Sequence, residues 1–426
     1  MDRIVRVNDL LVLLLILFGL GLGVSAFADD REIQVNEYTL GVQDQVKIVR
    51  LAGGDFLVVW RGRSPDQVDD EREIRGRLLD STGQPTGAEF NIGQTGTSWQ
   101  GWADVAALED GSAAVAWWDL NGSGRVGHRR VSAVGVPLGQ PDLITTDPEN
   151  FAREDPPVIA PRSGGGYLIV WECWPNCLGA RDRDLFGQLF DANSSSLTDP
   201  FRITEGSEGQ IWRYYSVVSL GGDGFMVFWT DRNDDQELSY RGRRLDVDGN
   251  LMGGEYLIPD LISGDRAYKG GPGEFILQTV NGFQRYNAAV QPVGSPIQLP
   301  PSPAEDFTYL HTDLIVAANG DVWFPLLTGF TAGPTAFEFD IGLYVADATG
   351  QPLLVMTQIN ALAGGSQRDG SLALTTDGDP VVVWESEGSF GDDNSRESIQ
   401  VRTSFSMLFA DDFETGDLAR WNFSMP

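Results

Sequence analysis

The segment Gly53-Gly54-Asp55-Phe56-Leu57-Val58-Val59-Trp60 returns four times, in runs ending at Trp117, Trp171, Trp229 and Trp384. Trp60, Trp117, Trp171 and Trp229 follow one another at 57, 54 and 58 residues. A unit of that length cannot bury its apolar face alone. It must stack against copies of itself, and a period this long points to sheet blades rather than a helical solenoid. A second landmark follows each hairpin, as in Ile74-Arg75-Gly76-Arg77-Leu78-Leu79-Asp80 and Tyr240-Arg241-Gly242-Arg243-Arg244-Leu245-Asp246. Alternating apolar and polar residues before an Asp-x-x-Gly turn are what a half-buried antiparallel strand and its hairpin require.

A short apolar strand closes each unit, so one repeat holds four strands, at 46–51, 56–60, 74–79 and 88–92 in the first. Counting hairpins predicts units at 40–92, 93–144, 145–204, 205–259, 260–299, 300–358 and 359–405. The fold expected is all-β, a single seven-bladed propeller of four-stranded antiparallel blades. The last repeat ends at Ile399-Gln400-Val401-Arg402 without its own outer strand, while Glu32-Ile33-Gln34-Val35-Asn36 is left over at the other end. Pairing the two would close the ring and remove exposed sheet edges. Trp60, Trp117, Trp171, Trp229 and Trp384 recur at one register and read as packing between blades.

The N-terminus carries Arg3 and Arg6 ahead of an apolar run over 10–22 and small residues before position 28. This reads as a secretory signal over 1–28, followed by the propeller over 29–405 and a tail over 406–426. The apolar run is short of the roughly 20 residues a membrane helix needs, so no transmembrane anchor is expected. The protein should be secreted or periplasmic, with surface association through its tail as the further option. Cys173 and Cys177 bracket three residues, and in an exported chain such a pair reads as a loop-tightening disulfide, no nearby His or Cys completing a metal site. The formal charge is −31, which excludes nucleic acid and anionic membrane as ready partners.

The repeats, a GG-x-apolar-x-V-W run followed by G-x-apolar-apolar-D-x-x-G, resemble a β-propeller repeat found in exported bacterial proteins, adhesin-like chains among them. The resemblance spans about 32–405 and implies fold and export, with no shared catalytic residues. The tail Phe409-Ala410-Asp411-Asp412-Phe413-Glu414-Thr415-Gly416-Asp417 to Trp421 is similar to a short C-terminal tag of exported proteobacterial proteins.

Tight turns connect the first strand to the second and the third to the fourth, so one face of the disc is trimmed. The long connections gather on the other face, where binding groups concentrate. They bring Trp99, Trp102, Trp212, Tyr214 and Tyr215 together with Asp182, Asp184, Asp234 and Asp235 as candidate ligand-binding residues. Flat rings stack on sugar faces and carboxylates accept hydroxyl hydrogen bonds, so the rim suits a polysaccharide, with a cell-surface protein as the other partner class. Packing aromatics and solvated acids would produce the same composition.

The acidic segments at 231–235 and 391–394 could hold calcium, the one cation considered; no organic cofactor is implied. Asp246-Val247-Asp248-Gly249 aligns with the hairpin turns and lacks an EF-hand's closing glutamate. His128 and His311 fall in no recognisable catalytic or metal spacing, and phosphate loops are absent. The expected function is a monomeric, non-catalytic binding or surface-interaction module. The alternatives are a glycoside hydrolase or lyase using rim carboxylates, and a structural cell-surface component.

Overall fold

The computed structural model describes residues 32–63, 72–94, 99–119, 125–144, 156–173, 183–205, 209–233, 237–258, 266–279, 282–298, 313–331, 337–360, 365–388 and 397–403. The segments at 1–28 and 406–426, expected to be a signal and a tag, lie outside them.

Seven four-stranded antiparallel sheets follow one another along the chain. The first blade runs β2 (Asp44–Arg50), β3 (Phe56–Gly62), β4 (Glu73–Leu79) and β5 (Phe90–Asn91) from the axis outward. The innermost strands of the next six blades are β6 (Gln100–Ala107), β10 (Val158–Pro161), β14 (Gly209–Ser219), β18 (Ala267–Lys269), β22 (Ile315–Val316) and β26 (Gln367–Leu374). The seventh blade pairs β26, β27 (Pro380–Glu387) and β28 (Glu397–Thr403) with β1 (Ile33–Gln34), which supplies its outer strand as the leftover N-terminal copy predicts. Val35 extends that closure through its N–H to Ile399 O at 2.7 Å, and Asn36 Oδ1 accepts the Ile399 N–H at 2.8 Å.

The apolar core is divided by interface: seven clusters each join two neighbouring blades. The repeated tryptophans fill them. Trp60, Trp117, Trp171, Trp229 and Trp384 are at most 1 % exposed, each packed toward the preceding blade. Where the fifth blade lacks a tryptophan, Phe228 and Phe275 meet with ring centroids 4.9 Å apart and Phe275 stacks on Tyr286 at 5.5 Å. Aromatic volume, rather than indole itself, is what the interface needs.

Two belts of polar contacts run around the ring. On the inner strands, a side-chain oxygen of one blade accepts an N–H of the next: Asp104 from Ile159 at 2.9 Å, Ser216 from Ala267 at 3.1 Å and Ser371 from Ile48 at 3.3 Å. Ser371 Oγ also donates to Asp313 Oδ2 at 2.8 Å. Toward the outside, one arginine register repeats. Arg77, Arg129 and Arg243 donate to the carbonyls of Val35, Ile92 and Ile203 in the preceding blade at 2.7, 3.2 and 2.7 Å, and Arg402 does the same to Ile359. Those carbonyls belong to fully buried residues, so each guanidinium satisfies an acceptor that water cannot reach.

The hairpins that open on aspartate are Asx turns, Asp-x-x-Gly in three of them and Asp-x-x-Ser at Asp191, where Ser194 takes the positive φ of 68° that glycine takes elsewhere. Asp80, Asp191, Asp246 and Asp347 each accept, through Oδ1, the N–H groups two and four residues on, at 2.8–3.0 Å. The Asn250 side chain, against a slight opposing effect of burial, and then backbone N–H groups of the turn hold the Asp246 carboxyl below its ordinary range. Its oxygens are committed to the turn.

Candidate functional site

The residue after each repeated tryptophan points to the opposite side of its sheet, as strand alternation demands. In the first and seventh blades these residues are Arg61 and Glu385, both on the long-loop face and both buried, at 7 % and 5 % exposure. Arg61 makes a two-pronged pair with Asp44, Nε to Oδ1 at 2.6 Å and Nη2 to Oδ2. Its guanidinium carbon lies 5.6 Å from the Trp99 ring and 5.4 Å from the Trp102 ring. Arg72 stands 5.3 Å from the Trp99 ring and 3.8 Å from Asp44 Oδ2. At these distances the cations are drawn to the ring faces and fix the indoles in place.

Backbone shape brings the indoles there. The inner strands of blades one, two and seven each carry a register shift, and each shift contains a non-glycine residue at positive φ: Gln45 at 60°, Trp102 at 51° and Asp369 at 47°. Side chains pay for this conformation in steric strain, and such strain concentrates at functional positions. The three residues are linked. Gln45 Oε1 accepts the Trp102 N–H at 2.5 Å, and Glu385 accepts the Gln45 N–H. Gly101 lets them approach closely: a Cβ there would sit 3.1 Å from Arg61 Cδ and 3.2 Å from Gln45 Oε1, so those side chains would have to shift by a few tenths of an ångström.

Glu385 is the electrostatic outlier. Burial, then the neighbouring carboxylates of Asp369 and Asp44, raise its carboxyl well above the ordinary range, and it shares a hydrogen bond with Asp369. Glu397 is raised by burial and by Asp44 against the opposing Arg368 and Arg72. Arg368 pairs with Glu387 at 2.5 Å and approaches Glu397 at 3.9 Å. The mouth of blades seven, one and two therefore combines an aromatic pair, three arginines already bound to carboxylates, and a buried glutamic acid whose carboxyl is pushed upward.

Of the residues expected on the rim, Trp99 is 38 % exposed and Trp102 partly buried, and the structure brings them together. Tyr215 is corrected. It lies in β14 rather than on a loop, is 6 % exposed, and its hydroxyl accepts the Glu172 N–H at 3.3 Å. Asp184 is likewise the first residue of β12 (Asp184–Phe190), 2 % exposed, paired with Arg202 at 2.6 Å and accepting from Thr204 Oγ1 at 2.7 Å. Trp212 and Tyr214 fall within β14, and their side chains lie outside the description. Asp182, Asp234, Asp235 and Cys177 lie outside the described residues; Cys173 is fully buried and disulfide-bonded. Asp231, considered for calcium, pairs with Arg241 at 2.9 Å. Among the described residues, no group of three His, Cys, Asp or Glu is arranged to hold a metal ion.

Sequence reasoning missed Gln45, Asp369 and Glu385. It also missed a 17-residue spacing: Gln43 and Gln367 accept the indole N–H of Trp60 and Trp384 at 3.1 and 2.9 Å, and Gln100 precedes Trp117 by the same interval. Gln100 turns instead to Asp119 Oδ2, at 3.2 Å.

A cavity of about 350 Å³ opens on the outer flank between blades two and three, lined among others by His128, Asp142, Gln140 and Ser194. His128 is 1 % exposed, its Nδ1 2.9 Å from the Tyr167 hydroxyl, and burial holds its pKa down at about 4 despite Asp142. It occupies the strand position held by Gly76, Gly187 and Gly242 in other blades.

No protein-family profile matches the chain, and no curated protein does. Several solved structures are similar to it. A protein of unknown function from Dyadobacter fermentans is 9 % identical, with 88 % of this chain and 98 % of that one covered and a TM-score of 0.44. An alpha-L-arabinanase of Penicillium chrysogenum, solved with arabinobiose, is 13 % identical over 88 % and 98 %, TM-score 0.44. A subtype N11 neuraminidase-like protein of A/flat-faced bat/Peru is 10 % identical over 72 % and 89 %, TM-score 0.43. At such identities the likeness concerns the fold alone. Among the described residues, no helix is long and apolar enough to cross a membrane.

Proposed function

We propose that this is an exported, non-catalytic binding module whose ligand is a carbohydrate taken at the mouth of blades seven, one and two. The observation that carries the reading is the Trp99–Trp102 pair, one ring 38 % exposed, held by Arg61 and Arg72. A pre-positioned indole gives stacking area without the entropy of ordering a loop on binding. The surrounding carboxylates and Gln45 would accept sugar hydroxyls, and the rigid ring of blades would keep them in place.

A hydrolytic reading has one observation in its favour: burial and neighbouring carboxylates raise the Glu385 carboxyl, the direction a general acid needs. Against it, Glu385 and Asp369 share a hydrogen bond, whereas glycoside hydrolysis sets its two carboxyl groups about 5–10 Å apart. Binding is therefore the first reading.

The test is a pull-down of the mature protein on insoluble and arrayed polysaccharides, with and without calcium, followed by assay of reducing ends. Retention without new ends, weakened by about tenfold or more in Trp99→Ala/Trp102→Ala, is the expected result, since an aromatic anchor at a contact's centre carries about 2 kcal/mol or more. New reducing ends would move the protein to the enzymes. Retention untouched by the double substitution would place the ligand elsewhere.

A further inference from the structure

Every arginine that braces the aromatic pair is already committed. Asp44 takes Arg61 through two hydrogen bonds and stands 3.8 Å from Arg72, while Glu387 and Glu397 take Arg368. Five carboxyl groups, those of Asp44, Asp369, Glu385, Glu387 and Glu397, stand against these three guanidiniums. Glu385 and Asp369 share a hydrogen bond, and among the described residues neither forms a salt bridge with an arginine. A sugar carboxylate or sulfate arriving at Trp99 would meet like charge, and to gain a guanidinium it would have to break the Asp44 pairing.

Resting on the carbohydrate reading above, we propose that the mouth takes neutral saccharides and discriminates against acidic ones, with Asp44 as the residue that sets this selectivity. Asp44 does so by occupying both arginines nearest the indoles. It positions and neutralises them, and touches the sugar only through them. The remaining acids accept hydroxyl hydrogen bonds, which neutral sugars offer in every orientation.

The experiment is titration of the full mature chain with fluorescently labelled neutral hexasaccharides (glucan, xylan and arabinan fragments) and acidic ones (galacturonan and sialic-acid oligomers), at 50 and 300 mM salt. Neutral ligands should bind at least about tenfold more tightly, with the gap narrowing at high salt as like-charge repulsion is screened. Asp44→Asn releases Arg61 and Arg72 and should shift the ratio of acidic to neutral affinity several-fold toward the acidic set, whatever it does to neutral binding itself. Melting profiles verify that this variant is folded, and Arg368→Gln serves as a second variant that should weaken acidic binding further. Tighter acidic binding by the unchanged protein, lost in Trp99→Ala, would overturn the selectivity and keep the rim reading. Absence of any saccharide binding would overturn both.

Discussion

The outer belt and the channel mouth use the same residue types to opposite ends. In the belt, one arginine register recurs in four blades, and each copy reaches a buried carbonyl of the blade before it. In the mouth, Arg61, Arg72 and Arg368 have no such counterparts; they meet carboxylates and indoles beside strained inner-strand positions in three adjacent blades. In a repeat protein, recurrence at one register marks a charge as scaffold. Departure from the repeat, joined to strain and a displaced titration, marks a candidate for function.

The scaffold side of this contrast breaks most visibly at ring closure. Removing Arg31 to Thr39 deletes β1, empties the site of the fully buried Val35, and takes away the carbonyl that Arg77 reaches. A loss on the order of 5 kcal/mol is expected from the cavity and the orphaned hydrogen bonds together. Calorimetry should show an earlier and less cooperative transition, and an unchanged melting temperature would show that the ring does not depend on its N-terminal strand.

His128 sharpens the contrast, because it departs from the repeat and yet lies away from the mouth. The folded chain holds it neutral down to about pH 4 against an ordinary 6.5, so as pH falls the unfolded chain takes up the proton first. Stability therefore declines between pH 6.5 and 4, by about 3 kcal/mol in total. Denaturant titrations across that range should show the slope, and His128→Gln should flatten it. For the belt itself, Arg243→Met leaves Glu205 without its partner at 2.8 Å and Ile203 O without its donor. A cost of about 2 kcal/mol is expected by urea unfolding, with saccharide binding unaltered.

The architecture was legible because period and register are properties of the chain itself. The tryptophan spacing, the Asp-x-x-Gly turns and the orphan strand at Glu32–Asn36 all translate directly into sheets. The site was half legible. Trp99 stood out as a large aromatic between repeats, while Trp102 and Tyr215 were assigned to loops although they lie in β6 and β14, where register shifts bend or lengthen the inner strand. Arg61 and Glu385 were hidden in plain alternation: they follow the core tryptophans and so face away from the core, a signal present in Trp60-Arg61 and Trp384-Glu385. The belts escaped notice for another reason. Their arginines repeat visibly, but their partners are carbonyls of the preceding blade, which only the closed ring brings near.

The smallest effect has the opposite sign, and it bears most directly on the mouth. Asp369 sits at φ 47° and shares a hydrogen bond with the raised Glu385. Asp369→Gly removes the strain of a left-handed side-chain residue, a gain partly offset by the added freedom of glycine in the unfolded chain. It also removes a neighbouring charge. A carboxyl raised in the folded state favours folding below its ordinary pKa and loses that contribution as pH rises toward the folded value, so Glu385 penalises the fold at neutral pH. Lifting part of that penalty should add stability at pH 7 and little at pH 4. The expected gain is about 1 kcal/mol at pH 7, read as a rise in melting temperature that shrinks on acidification. A scaffold residue would lose stability at both pH values, and that outcome would move Asp369 from the mouth's functional set to the belts.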